Sequence, residues 1–271
     1  MFALIITNNG GDHLKTTSTV KKPRGEKKKI RVVSTGAKKL DEVLSGGFPL
    51  KSNILVHGPP FVGKEIFLNQ FVAEGLKWGV PAIVVLTRYT TTNARRNLVR
   101  FFPKLKERER DGLVHYIDSY SKSVGMIGNN PYAKYLPGPG DITGIARSIE
   151  EIQRSLSQRF FYHRVIIDSL TPILSQVGLD KLMNFLHAVV ARNKTYRAVT
   201  CFDISAGIHS DGEISAIEGV MDGTINFRED GKRFYLKVKG LQGVRNRDWM
   251  EYNFDDDSLD ILGIFGLDYI P

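Results

Sequence analysis

Residues 58–65 read Gly-Pro-Pro-Phe-Val-Gly-Lys-Glu, one residue short of a phosphate-binding loop. That loop has the form G-x-x-x-x-G-K followed by Ser or Thr. Its backbone N–H groups cradle phosphates, the Lys reaches the outer ones and the hydroxyl ligates Mg²⁺. Gly58, Gly63 and Lys64 satisfy the pattern, whereas Glu65 puts a carboxylate where the hydroxyl belongs. A second acid, Asp168, closes the apolar run RVIID. From such a strand end a carboxylate can hold Mg²⁺ in P-loop nucleotide hydrolases; the alternative for Asp168 is a polar strand end without a ligand.

These residues can meet only if a strand feeds the loop and a helix follows it. The sequence supplies both. NILVHG (53–58) is strand-like, and EIFLNQFVAEGLKWG places Phe67, Leu68, Phe71 and Val72 at helical spacing before stopping at Gly79. Four more β-rich runs, PAIVVLTR, LVHYIDSY, RVIIDSL and AVTCFDIS, alternate with the amphipathic stretches ARRNLVRFF, SIEEIQRSLSQRF and LDKLMNFLHAVVARN. This alternation predicts an α/β fold with a mainly parallel sheet and helical crossovers. Residues 125–141, rich in Gly, Pro and Asn, read as a long surface loop. Asp230-Gly231 splits two β-rich runs and predicts a hairpin, so that an antiparallel pair extends the sheet edge.

A chain of 271 residues with 42% hydrophobic content has room for one sizeable α/β domain. Its net charge is +9, but the first 31 residues hold eight Lys and Arg against two acids, so +6 of that charge sits there. The expected division is a basic, flexible tail over residues 1–29 and a nucleotide-binding domain over 30–271. The opening MFALIITNN is too short and too poor in positive charge for a secretory signal. Apolar runs elsewhere fall far below the ~20 residues of a spanning helix. Cys201 has no partner in the chain, which favours a reducing cytoplasm. The six histidines show no ligand spacing, so no metal other than Mg²⁺ is indicated.

STGAKKLDEVLSGGFP (34–49), GPPFVGKE, PGPGDITGIARSIEEI, VIIDSLTPIL and EGVMDGTINF together resemble the KaiC-like branch of the RecA/RadA superfamily of ATPases, over about residues 32–255. The resemblance implies a RecA-type core binding ATP or ADP with Mg²⁺ at the C-terminal strand ends, often between neighbouring subunits of a ring or filament. It implies that Lys64 contacts the β- and γ-phosphates, that the backbone of Pro60, Phe61, Val62, Gly63, Lys64 and Glu65 surrounds them, and that Asp168 serves the metal. A Lys-x-Arg pair that reaches the neighbour's ATP in the family corresponds here to Lys237-Val238-Lys239, which keeps the charge but loses the bidentate fork of Arg. The alternative for this pair is an exposed basic strand edge.

The departures from that family bear on catalysis. Where hydrolysing members carry a Glu-Glu pair after the second core strand, this sequence has Arg88-Tyr89. Arg cannot accept a proton, so Arg88 either pairs with a γ-phosphate and holds ATP unhydrolysed or stands solvated at a strand end. Phe61 occupies a position usually held by Gly, and Phe202-Asp203 replaces a Ser-Gln sensor of the γ-phosphate. Glu65 has three open fates: binding Mg²⁺, repelling phosphate, or turning to pair with Lys64 or Arg88. The favoured reading is an ATP-binding regulatory protein with slow or absent hydrolysis, acting through an oligomer or a protein partner. The alternatives are an active ATPase or autokinase with Glu65 as the remaining base, and a RadA-paralogue-like accessory protein that binds DNA through the basic tail.

Overall fold

The computed structural model describes residues 32–263; the basic tail expected over residues 1–29 lies outside the described residues. A short antiparallel ribbon, β1 (Val32–Val33) with β2 (Phe48–Pro49), flanks helix α1 (Lys38–Val43). Then come β3 (Asn53–Gly58), α2 (Lys64–Lys77), β4 (Ala82–Leu86), α3 (Thr91–Phe101), α4 (Leu105–Arg110), β5 (Val114–Asp118) and β6 (Ala133–Tyr135). They are followed by α5 (Ile142–Ser157), β7 (His163–Asp168), α6 (Leu170–Val177), α7 (Leu179–Thr195), β8 (Ala198–Ser205) and α8 (Asp211–Glu218). The described chain closes with β9 (Gly223–Asp230), β10 (Arg233–Lys239), β11 (Met250–Phe254) and β12 (Leu259–Gly263).

Ten strands form one sheet in the order β12-β11-β10-β9-β3-β8-β7-β4-β5-β6. The seven from β9 to β6 run parallel, and β10, β11 and β12 extend the edge antiparallel. Successive residues of a strand point to opposite faces, and both faces here are covered. Ile54, Val56, Val84 and Cys201 pack under α1, α2, α3 and α4, while Leu55, Ile83, Val85, Ile167 and Phe202 pack under α5, α6, α7 and α8. This explains why the strand sequences are apolar throughout rather than alternating. The mainly parallel sheet with helices on both faces is the α/β architecture that the alternation of runs implies, and with its antiparallel C-terminal extension it is the RecA-type core that the KaiC-like resemblance implies.

Local chemistry fixes the element ends. Thr90 caps α3 by accepting from the Asn93 N–H at 3.2 Å, Asp141 caps α5 by accepting from the Gly144 N–H at 2.9 Å, and Ser210 with Glu213 forms a reciprocal capping box on α8. The hairpin between β9 and β10 turns at Gly231-Lys232, with Gly231 at φ 62°, where a side chain is disfavoured. Residues 125–141 are not wholly loop. Ala133–Tyr135 adds a short parallel edge strand to β5, which a three-residue segment flanked by Pro and Gly does not announce by periodicity.

Candidate nucleotide site

The parallel strands end level with one another: Gly58 lies beside Ser205, and Leu86 beside both Asp118 and Asp168. At this carboxyl edge of an open α/β sheet the fold places ligand sites. The loop from β3 to α2 rises there. Gly63 is in the left-handed region at φ 77° and starts α2, and a Cβ on it would lie 2.8 Å from the Phe254 ring. Both the turn and the close approach require glycine. Tyr252 donates its hydroxyl to the Val62 carbonyl. Aromatic side chains of β11 thus brace the loop from beneath. Phe61 also has a positive φ, 65°, and its ring is 93% exposed at the loop crest.

A cavity of about 530 Å³ opens at this point, lined by Pro60, Phe61, Gly63, Lys64, Glu65, Ile66, Arg88, Ser205 and Phe254. It sits at the N-terminus of α2, where first-turn N–H groups lack intrahelical acceptors and carry the positive end of the helix dipole. Lys64 is buried, with Nζ donating to the Ile204 carbonyl at 2.9 Å and lying 2.9 Å from Asp203 Oδ1. Burial lowers the Lys64 pKa from its ordinary value, and Asp203 opposes that shift.

Arg88 donates to Asp168 Oδ1, and the Tyr89 hydroxyl donates to Asp168 Oδ2. Arg88 Nη2 also lies 3.7 Å from Asp203 Oδ2. Burial works against the Arg88 charge, but Asp168 and then Asp203 outweigh it and hold the guanidinium above its ordinary pKa. Burial pushes Asp168 up to about 6, opposed by Arg88 and reinforced by the neighbouring charge of Asp203. The result is a row of alternating charge: Lys64, Asp203, Arg88, Asp168.

Glu65 does not meet the expectation of a metal ligand or of a partner for Lys64 or Arg88. Its carboxylate accepts from Asn97 Nδ2 on α3, and its carbonyl accepts from Asn69 Nδ2 at 2.9 Å. Asp168 likewise does not present a free oxygen to Mg²⁺, because Arg88 and Tyr89 engage one oxygen each. Among the described residues, no group of three or more His, Cys, Asp or Glu side chains converges to hold a metal. A divalent cation would therefore meet a guanidinium instead of a carboxylate, and the residues present do not fit Mg²⁺. Arg88 itself is not a free solvated arginine but the partner of Asp168.

Lys237 and Lys239 do not line this cavity. They stand on β10 opposite Asn226 and Thr224, level with His57 and Leu55 of β3 but separated from that strand by β9. Sequence reasoning missed Asp203 as a site residue, treating it as a lost sensor. An acid inside the buried run AVTCFDIS is itself a signal, since a buried carboxylate needs a cation beside it. Phe254, Tyr252 and Asn97 were missed because they come from segments distant in sequence.

The sequence profile described as "ATPase: KaiC" matches residues 33–243. The chain belongs to the KaiC ATPase family. The circadian clock oscillator protein KaiC of Rippkaea orientalis is 34% identical over 212 residues, covering 77% of this chain and 36% of that protein. A UPF0273 protein of Pyrococcus furiosus is 33% identical over 144 residues, 53% of this chain and 56% of its own length, so the chain spans a little over half of that relative. A UPF0273 protein of Methanocaldococcus jannaschii is 27% identical over 204 residues, covering 74% of this chain and 81% of the relative. In fold, the chain is similar to the crystal structure of a KaiC-like protein from Pyrococcus horikoshii OT3, with a TM-score of 0.69 at 18% identity over 86% of this chain and 100% of that one. Membership in the KaiC family implies a nucleotide and Mg²⁺ as cofactors; the Arg88–Asp168 pair is where this chain departs from that implication.

Proposed function

We propose that this chain is a nucleotide-binding regulatory member of the KaiC family whose hydrolysis is slow or absent, and that it acts through contacts with other subunits or with a protein partner. One observation carries the reading: the group beside Asp168, at the end of β7, is the guanidinium of Arg88. A water attacking the outer phosphorus needs a base, and a permanent cation cannot serve as one. Lys64, Arg88 and the α2 N-terminus remain as phosphate-binding groups. Phe61 and Phe254 supply apolar walls against which a base can pack.

Nucleotide would act here by exchanging ion pairs. Phosphate draws Lys64 from Asp203 and takes the uncommitted Nε edge of Arg88, which keeps its bond to Asp168, so the bound and free states differ at the start of α2 and at the ends of β4 and β8. A ligand shifts a conformational equilibrium only through such a difference in contacts. Lys239 is exposed on β10 and Lys237 half-buried beside it, which leaves charge available to a neighbouring subunit of a ring or filament. Cytoplasmic residence fits the buried free Cys201, and no helix among the described residues is long and apolar enough to cross a membrane.

The enzyme alternative needs a substitute base. Glu65, the candidate, is turned to Asn97 and sits beside the loop. Timed phosphate release from ATP by the wild type and by Lys64→Ala separates the two: the regulatory reading expects nucleotide bound with no Lys64-dependent release. DNA binding through the tail is tested by removing residues 1–29 and measuring single-strand affinity at two salt concentrations.

A further inference from the structure

Resting on the nucleotide-binding reading, we propose that the site takes its nucleoside polyphosphate without a divalent cation, the guanidinium of Arg88 standing where the metal would. Three observations converge. The hydroxyl that would ligate the metal is replaced by Glu65, whose carboxylate is turned to Asn97. The acid that would hold the metal, Asp168, has both oxygens engaged by Arg88 and Tyr89. Arg88 also reaches toward Asp203 at 3.7 Å and lines the cavity together with Lys64, so that its charge faces the same space as the loop lysine.

Arginine can perform the electrostatic part of the metal's task. It is charged at every accessible pH, and its planar fork matches two oxygens of a phosphate at once. Arg88 Nε is buried without a hydrogen-bond partner, so that donor is uncommitted and can take a phosphate oxygen while Nη2 stays on Asp168. A guanidinium neither accepts a proton from the attacking water nor turns it into hydroxide as a bound metal ion does, which is why the same substitution supports binding and not hydrolysis. With Arg88 in place, a metal–nucleotide complex brings like charge against like charge. The metal-free polyphosphate does not.

Calorimetric titration of the full chain with ADP and with ATP, once in excess Mg²⁺ and once in EDTA, tests this directly. The dissociation constants are expected to agree within about threefold between the two buffers. Arg88→Gln is expected to weaken binding in EDTA by about tenfold or more, with Arg88→Lys intermediate because it keeps charge without the fork. Should those variants fail to fold, the wild type alone decides. Mn²⁺, followed by the electron paramagnetic resonance signal of the free ion, is expected to be retained no better by protein with ADP than by ADP alone. Affinity in EDTA lower by about tenfold or more than in Mg²⁺, or stoichiometric Mn²⁺ retention with ADP, overturns the metal-free site while leaving nucleotide binding intact. No binding in either buffer overturns both.

Discussion

Arg88, two residues beyond the end of β4, pairs with Asp168 at the end of the adjacent parallel strand β7, at the carboxyl edge of the sheet, with the Asp168 carboxylate fully buried and about a third of the Arg88 side chain exposed. A buried acid stripped of its cation is costly, whereas removing both charges together is far less so. Arg88→Ala is therefore expected to destabilise the fold by about 2–4 kcal/mol, toward the low end because of Arg88's exposure. In an Asp168→Asn background the same change is expected to cost at least about 1 kcal/mol less. Urea unfolding of the four proteins of this double-mutant cycle reads the coupling. Equal costs in the two backgrounds contradict the pairing.

Lys64 serves two purposes, as the phosphate-binding cation and as the counter-ion of buried Asp203. Lys64→Met keeps the apolar stem and removes the charge, so it is expected to abolish nucleotide binding and to lose about 1–3 kcal/mol of stability. Adding Asp203→Asn is expected to recover most of the stability and none of the binding. Calorimetry and urea denaturation measured on the same samples separate the two effects.

Gly63 combines a left-handed backbone with the Phe254 ring 2.8 Å from where a Cβ would be. Gly63→Ala is expected to cost about 2 kcal/mol or more and to weaken nucleotide binding by displacing the loop. Phe254→Ala in that background relieves the contact but not the φ, so partial recovery of the thermal midpoint is expected. Full recovery would mean that the ring alone requires glycine.

His163 gives a pH dependence remote from the site. Burial, with the positive neighbours His115 and Arg197 adding to it, lowers its pKa from 6.5 to about 4. The unfolded chain therefore takes up a proton that the folded chain resists, and stability is complete above about pH 6.5 and lost as pH falls through 6.5 toward 4. The loss amounts to about 3 kcal/mol at the acid end. Urea midpoints of the wild type and His163→Leu at about pH 7 and about pH 4.5 check this. The wild type should lose more than the variant on acidification, and parallel loss would assign the acid sensitivity elsewhere.

How much was legible in the sequence follows from whether a feature is local. The β3–loop–α2 unit is local: an apolar run, a glycine-framed loop and helical spacing lie within residues 53–77, and the structure places them so. Asp168 and Arg88 were legible as strand-end residues, because each follows its own apolar run. Their pairing was not, since it depends on β4 and β7 being neighbours, a matter of sheet order. The same holds for Lys64 and Asp203, brought together because β8 lies between β3 and β7. The fate of Glu65 was set by α3, and the requirement for Gly63 by Phe254 on β11, nearly two hundred residues along the chain. Helices α4, α6 and α8 span 6, 8 and 8 residues, too short for a periodic pattern to single out.

The most direct measurement is single-turnover phosphate release from ATP bound to the wild type in saturating Mg²⁺, with Lys64→Ala as the reference. Bound nucleotide with no phosphate release above that reference is the outcome expected of a site in which Arg88 covers Asp168. Lys64-dependent turnover at the ordinary enzyme rate of about 1 s⁻¹ or faster would contradict it, and would require a carboxylate to reach the attacking water in place of the guanidinium.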